Sequence, residues 1–117
     1  MTFAFDQKLN NKISEIQASL DMVAAAGCVT SFGLKVCCDD LSIGRYLSLI
    51  AQMSLDGESA AVLPDFEGNP QVLSLDQIKR LHADCVKYGR GLFAKQAELL
   101  QRLAQAQTPE EIDAIVW

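Results

Sequence analysis

From Asp6 the apolar residues fall at Leu9, Ile13, Ile16, Leu20 and Val23, in steps of four, three, four and three. That spacing predicts an amphipathic helix with one narrow stripe. Lys8, Lys12, Glu15 and Gln17 lie off the stripe, and the run AAAG closes the helix with Gly27 placed as its C-terminal cap. The stripe has the form of a coiled-coil seam but lasts about two heptads, fewer than a coiled coil needs. The primary reading is therefore a helix packed on its own core.

The pattern then changes period. Val29, Phe32, Leu34 and Val36 are strand formers with Gly33 among them. They predict two short strands over 28–30 and 34–38, joined at 31–33. Side chains alternate faces along a strand, so Leu34, Val36 and Cys38 share one face and Lys35 and Cys37 the other. Lys35 wants water, which turns Cys38 inward and Cys37 outward. Asp39 or Asp40 caps a second helix whose inner face is Ile43, Tyr46, Leu47, Ile50 and Met53. After the loop SLDGESAA, a second hairpin is predicted over 62–66 and 71–73, with its turn at EGNP. Pro64 and Pro70 keep these strands short or at an edge.

Ser74 and Gln77 form a capping box that opens a third helix. Its stripe runs Ile78, Leu81, Cys85, Val86, Leu92, Phe93, Leu99, Leu100 and Leu103, and it extends to Ala106, about 45 Å in all. Gly89 and Gly91 interrupt it, at about 1 kcal/mol each relative to alanine. A bend or a close helix contact there is the expected reason. TPEE predicts a short last helix, with Thr108 as cap, Pro109 as first residue and Glu111 reaching back. The chain ends in Ile115, Val116 and Trp117. The fold class expected is α+β, mostly α: three main helices and a short C-terminal helix, with two small β-hairpins. Residues 1–117 read as a single domain, since no linker or repeat divides them.

Composition narrows the function. Half of the 117 residues are apolar and 21% are charged, which fits a globular fold. The net charge of −5 disfavours nucleic acid and anionic membrane surfaces as partners. No export signal is evident at the N-terminus and no run of about 20 apolar residues could span a bilayer. The four cysteines are accordingly expected as free thiols.

Three of those cysteines fall within CVTSFGLKVCCDDLS, residues 28–42. A zinc site is one reading: His82 and Cys85 share a helix face, and Cys28 and Cys37 could complete a tetrahedral set. The usual Cys-x-x-Cys spacing is missing, and so is a redox Cys-x-x-Cys. Small buried hydrophobes plus one exposed thiol is the favoured reading, with no metal and no cofactor. His82, the only histidine, reads as structural. Asp39, Asp40, Asp65 and Glu67 sit where caps and turns account for them. GNP and GRG lack the spacing of a phosphate loop. No catalytic residue is nominated, and the chain is read as a non-enzyme.

The order of elements resembles a bacteriophage tail-protein domain of unknown function, found at the C-terminal ends of tail-fibre and tail-fibre-assembly proteins. The hairpin with Gly33, then Asp39, then Ser42 opening a helix, carries the first part of the likeness. Leu73 and Ser74 before the third helix, and Ala104, Ala106, Thr108, Glu111 and Ile115 at the end, carry the rest. The likeness covers most of residues 8–117. Two features depart from it: the adjacent cysteines in the hairpin, and glycine at both 89 and 91. It implies a phage or prophage tail-associated structural or assembly protein, located in the virion or the host bacterial cytoplasm. Its expected partners are other tail proteins or a second copy of itself. Leu9, Ile13, Ile16, Leu20 and Trp117 are the interface candidates. The alternative is a small cytoplasmic prophage-encoded regulatory or zinc-binding module.

Overall fold

The first apolar stripe forms helix α1, Phe3–Ala25, in the computed structural model, which describes residues 3–117. Three further helices follow: α2 (Asp40–Asp56), α3 (Leu75–Gln105) and α4 (Pro109–Asp113). Two antiparallel hairpins pair β1 (Cys28–Val29) with β2 (Lys35–Val36) and β3 (Ala60–Pro64) with β4 (Pro70–Ser74). The protein is thus mostly helical α+β, with three long helices, one short one and two small sheets among the described residues.

The chain divides into two compact units. One comprises residues Ala24–Arg90, the other the chain up to Val23 together with Gly91–Trp117. Each has its own apolar core. In the first, Val36, Tyr46, Met53, Leu73, Ile78, Leu81 and three cysteines, Cys28, Cys38 and Cys85, pack together. In the second, Phe5, Ile16, Leu99, Leu103, Ala106, Ile112 and Ile115 do so.

Local chemistry places the ends of these elements. Gly27, at φ 86°, turns the chain after α1, with its N–H donating to the carbonyl of Ala24 at 3.3 Å. Asp39 caps α2, its side chain accepting from the Ser42 N–H at 3.3 Å. At the start of α3 both halves of the capping box form: Gln77 N–H donates to Ser74 Oγ at 3.1 Å, and Ser74 N–H to Gln77 Oε1 at 2.9 Å. At α4, Glu111 N–H donates to Thr108 Oγ1, while the Glu111 carboxylate accepts from Gln107 N–H, one residue before the cap itself.

The second hairpin starts and ends two residues earlier than its pattern predicts on the β3 side, because Asp65 begins the turn. Its Oδ1 accepts the N–H groups of Glu67 and Asn69 at 3.0 and 2.9 Å, and its Oδ2 accepts from Gln71. Pro64 and Pro70 face each other as the last pair before that turn. The first hairpin is shorter than expected. Thr30 is buried and its Oγ1 accepts the Leu34 N–H, so the loop is tied by a side chain where the ladder stops.

The helix stripes need three corrections. Leu47 on α2 and Val86 and Phe93 on α3 are exposed, not part of the core. Leu47 and Val86 each follow a buried core residue, Tyr46 and Cys85, and Phe93 follows the half-buried Leu92; successive residues stand about 100° apart around a helix. Gly89 and Gly91 are not sites of close contact either: a Cβ at each position would meet nothing within 4 Å.

Candidate interaction site

The unit that holds both chain ends is organised by α1. Lys12 occupies a core-facing position, three residues after Leu9 and four before Ile16. It is buried, and its Nζ donates to the carbonyl of Ile115 at 3.0 Å while pairing with Glu15 at 3.2 Å. One turn earlier, Lys8 Nζ reaches the Asp113 carboxylate at 2.9 Å. Helix α4 has no basic residue in its own last turn. Lys12 supplies positive charge to a carbonyl just past that helix end, and Lys8 pairs with the carboxylate of its last residue. Sequence reasoning missed this role for Lys12, reading it as a solvent-facing residue. The signal was its i+3, i+4 spacing from Leu9 and to Ile16.

Burial of Lys12 displaces Ile13 outward. Of the interface candidates, Ile16 and Leu20 are buried within the fold, Leu9 is half-buried, and Ile13 is 46% exposed. Leu9 and Ile13, with Leu100, Leu103, Ala104 and Ala106, line an open groove of about 570 Å³ whose rim carries Asp6 and Asn10. The bond from Gln96 Nε2 to Gln17 Oε1, at 2.7 Å, ties α1 to α3 within this unit. Trp117 is half-buried, packs against the Ile112–Ile115 cluster, and has Lys95 Nζ 4.9 Å from its ring centroid. Its neighbour Val116 is exposed. Leu100 and Ala104 join the groove although the sequence did not nominate them; their partial exposure depends on how α1 lies against α3.

The cysteines lie in the other unit. Cys28, Cys38 and Cys85 are buried in its core and Cys37 is half-buried; all four are free. Burial raises all three core thiols, Cys38 to about 11 and Cys85 to about 12. Their shared apolar pocket therefore holds neutral SH groups. Cys38 Sγ donates to the Ala24 carbonyl at 3.4 Å, and the Cys37 carbonyl accepts from the Tyr46 hydroxyl at 2.8 Å. The alternation around Lys35 thus turns Cys38 inward as expected, while Cys37, expected as the exposed thiol, is only partly exposed. Of the weighed zinc set, Cys28 and Cys85 meet in the core, where Cys38 rather than Cys37 joins them. Among the described residues no group of three or more His, Cys, Asp or Glu is arranged to hold a metal ion. His82 is half-buried on α3.

Two carboxylates in this unit serve the loops. Asp84 accepts both the N–H and the Oγ of Ser31 at 2.9 Å, and these bonds hold its pKa below the usual carboxylate value. Asp65 is lowered likewise, by the Asn69 N–H first. Phe66 joins the two hairpins: its N–H donates to the Lys35 carbonyl at 2.9 Å, its ring lies against Gly27, and Lys35 Nζ sits 4.3 Å from its centroid. Among the described residues no helix is long and apolar enough to cross a membrane.

No curated protein and no solved structure matches the chain. A family described as a domain of unknown function (DUF4376) matches residues 7–116. That span takes in both hairpins, α2, α3, α4 and all but the first turn of α1, and the chain belongs to this family.

Proposed function

We infer that this chain is a phage or prophage tail-associated protein, structural or engaged in tail-fibre assembly, and that it works by binding other proteins rather than by catalysis. The observation that supports this most is the apolar groove lined by Leu9, Ile13, Leu100 and Ala104. It is a surface of aliphatic side chains with Asp6 and Asn10 on the rim, suited to receiving an apolar helix or strand face. The order of hairpin, capped helix and terminal TPEE helix, which resembles tail-fibre-associated domains, supplies the phage setting. The virion or the host cytoplasm during assembly is the corresponding location.

The test is co-purification. The tagged full chain is co-expressed with each protein encoded beside its gene, and Ile13→Glu is compared with the wild type. Capture of a tail protein by the wild type, reduced in the variant, is the expected result. A neighbourhood without tail genes, or capture that Ile13→Glu leaves intact, would overturn the reading.

A further inference from the structure

On α3, one face is left over once the core is made. Phe93, Ala97, Leu100 and Ala104 follow steps of four, three and four, and so stand in one line along the helix. Phe93, Ala97 and Ala104 are exposed and Leu100 is half-buried. The residues beside the line, Ala94, Gln96 and Gln101, are uncharged, while Lys95, Glu98 and Arg102 point elsewhere around the helix. The line extends over about 17 Å. It is a heptad seam in which one register position is large (Phe93, Leu100) and the other small (Ala97, Ala104).

We propose that this face is a dimer interface, and that its occupant is α3 of a second copy of the chain, running antiparallel. The seam is self-complementary in that direction alone. A two-fold axis between residues 98 and 99 sets Phe93 against Ala104 of the other copy and Ala97 against Leu100. Every large side chain then meets a small one, as ridges-into-grooves packing requires. Parallel pairing would set Phe93 on Phe93 and alanine on alanine, crowding one layer and leaving a void in the next. Such an isologous contact closes on itself and yields a dimer, not a filament.

Charge points the same way. The protein carries a net charge of −5, so two copies repel unless they meet on a neutral patch. The seam and the α3 residues beside it, Ala94, Gln96 and Gln101, form such a patch. The groove beside Leu100 and Ala104 lies along the same face and adds Leu9 and Ile13 to the surface covered. This inference deepens the binding reading above by naming one partner, and it rests on that reading only for its biological setting.

Sedimentation equilibrium of the full chain tests it. The wild type is expected to show a monomer–dimer equilibrium, and Ala97→Glu, which adds carboxylates near the two-fold axis, to weaken it at least about tenfold. Glutamate is a good helix former at an exposed site, so the helical circular dichroism and the unfolding midpoint should not move. Cross-linking fixes direction. In a Cys37→Ser background, Phe93→Cys mixed with Ala104→Cys should oxidise to the mixed pair faster than either does alone. A wild type that stays monomeric to about 1 mM overturns the proposal. So does a dimer indifferent to Ala97→Glu, or preferential 93–93 and 104–104 cross-links. A monomeric chain that still captures a neighbouring tail protein sinks this inference alone. A dimer that captures none sinks the tail reading alone.

Discussion

Replacing Gly27 by alanine separates two effects that glycine conservatism usually hides. Gly27 and Gly33 share a φ of 86°, a region that costs an L-residue about 1–2 kcal/mol. They differ in surroundings. A Cβ on Gly33 would meet nothing within 4 Å. A Cβ on Gly27 would lie 2.7 and 2.9 Å from two ring carbons of Phe66 and 2.9 Å from the Val36 carbonyl oxygen. The ring can shift, at the loss of its packing and of the Lys35 contact. The carbonyl is backbone in a strand paired with Cys28 and has less room to give. Overpacking of this kind adds about 1–3 kcal/mol. Gly33→Ala should therefore destabilise by about 1–2 kcal/mol, and Gly27→Ala by about 2–5 kcal/mol once that overpacking is added. Urea unfolding followed by far-UV circular dichroism measures both. In the double variant Gly27→Ala/Phe66→Ala the ring clash is gone, so the pair should cost less than the sum by about 0.5–2 kcal/mol. If Gly27→Ala and Gly33→Ala cost the same within about 0.5 kcal/mol, or if the two sites are additive, the close approach of Phe66 to Gly27 is not what fixes the first hairpin.

Three further outcomes follow from other parts of the molecule. Lys12→Met keeps the aliphatic stem but leaves the Ile115 carbonyl and Glu15 without the ammonium; it should destabilise by about 1–3 kcal/mol, read by urea unfolding. With a chromogenic disulfide reagent, half-buried Cys37 should react first, and Cys28, Cys38 and Cys85 only at the rate of unfolding; fast labelling of two or more thiols in native protein would contradict the packed cluster. Asp65 and Asp84 have folded pKa values below the ordinary 3.8. Their contribution is present above that value and is lost as pH falls through the folded values, where the native state must take up the proton. Asp84→Asn, judged by acid titration of the circular dichroism, should flatten that part of the acid transition.

The elements themselves were written locally, which is why a single sequence revealed them. The Ser74–Gln77 box, the Asp39 cap and the Gly27 turn each need only residues within four positions of one another, and each forms. What the pattern could not supply was the rotation of each helix about its axis. Leu9, Ile13, Ile16 and Leu20 define a stripe but not which of its two flanks is buried with it. The side chosen depends on α4, a hundred residues later, because Lys12 must reach Ile115. Ile13 is turned outward as a consequence. The same ambiguity misplaced Leu47, Val86 and Phe93, since an apolar residue beside a core residue reads as core until its neighbours are known.

The cysteines show the complementary case, where a local rule decided a tertiary question. Lys35 is exposed and Val36 is 1% exposed, so the strand's two-residue period carries Cys38 inward and leaves Cys37 at the margin. Cys38 then meets Cys28 from the paired strand and Cys85 from α3. Burial makes all three poor thiolates. A redox nucleophile needs the opposite environment, a polar site that stabilises the thiolate. An adjacent pair of cysteines therefore divides between two surroundings. The distinguishing surface of the molecule lies elsewhere, on helix faces whose apolar residues the core does not use.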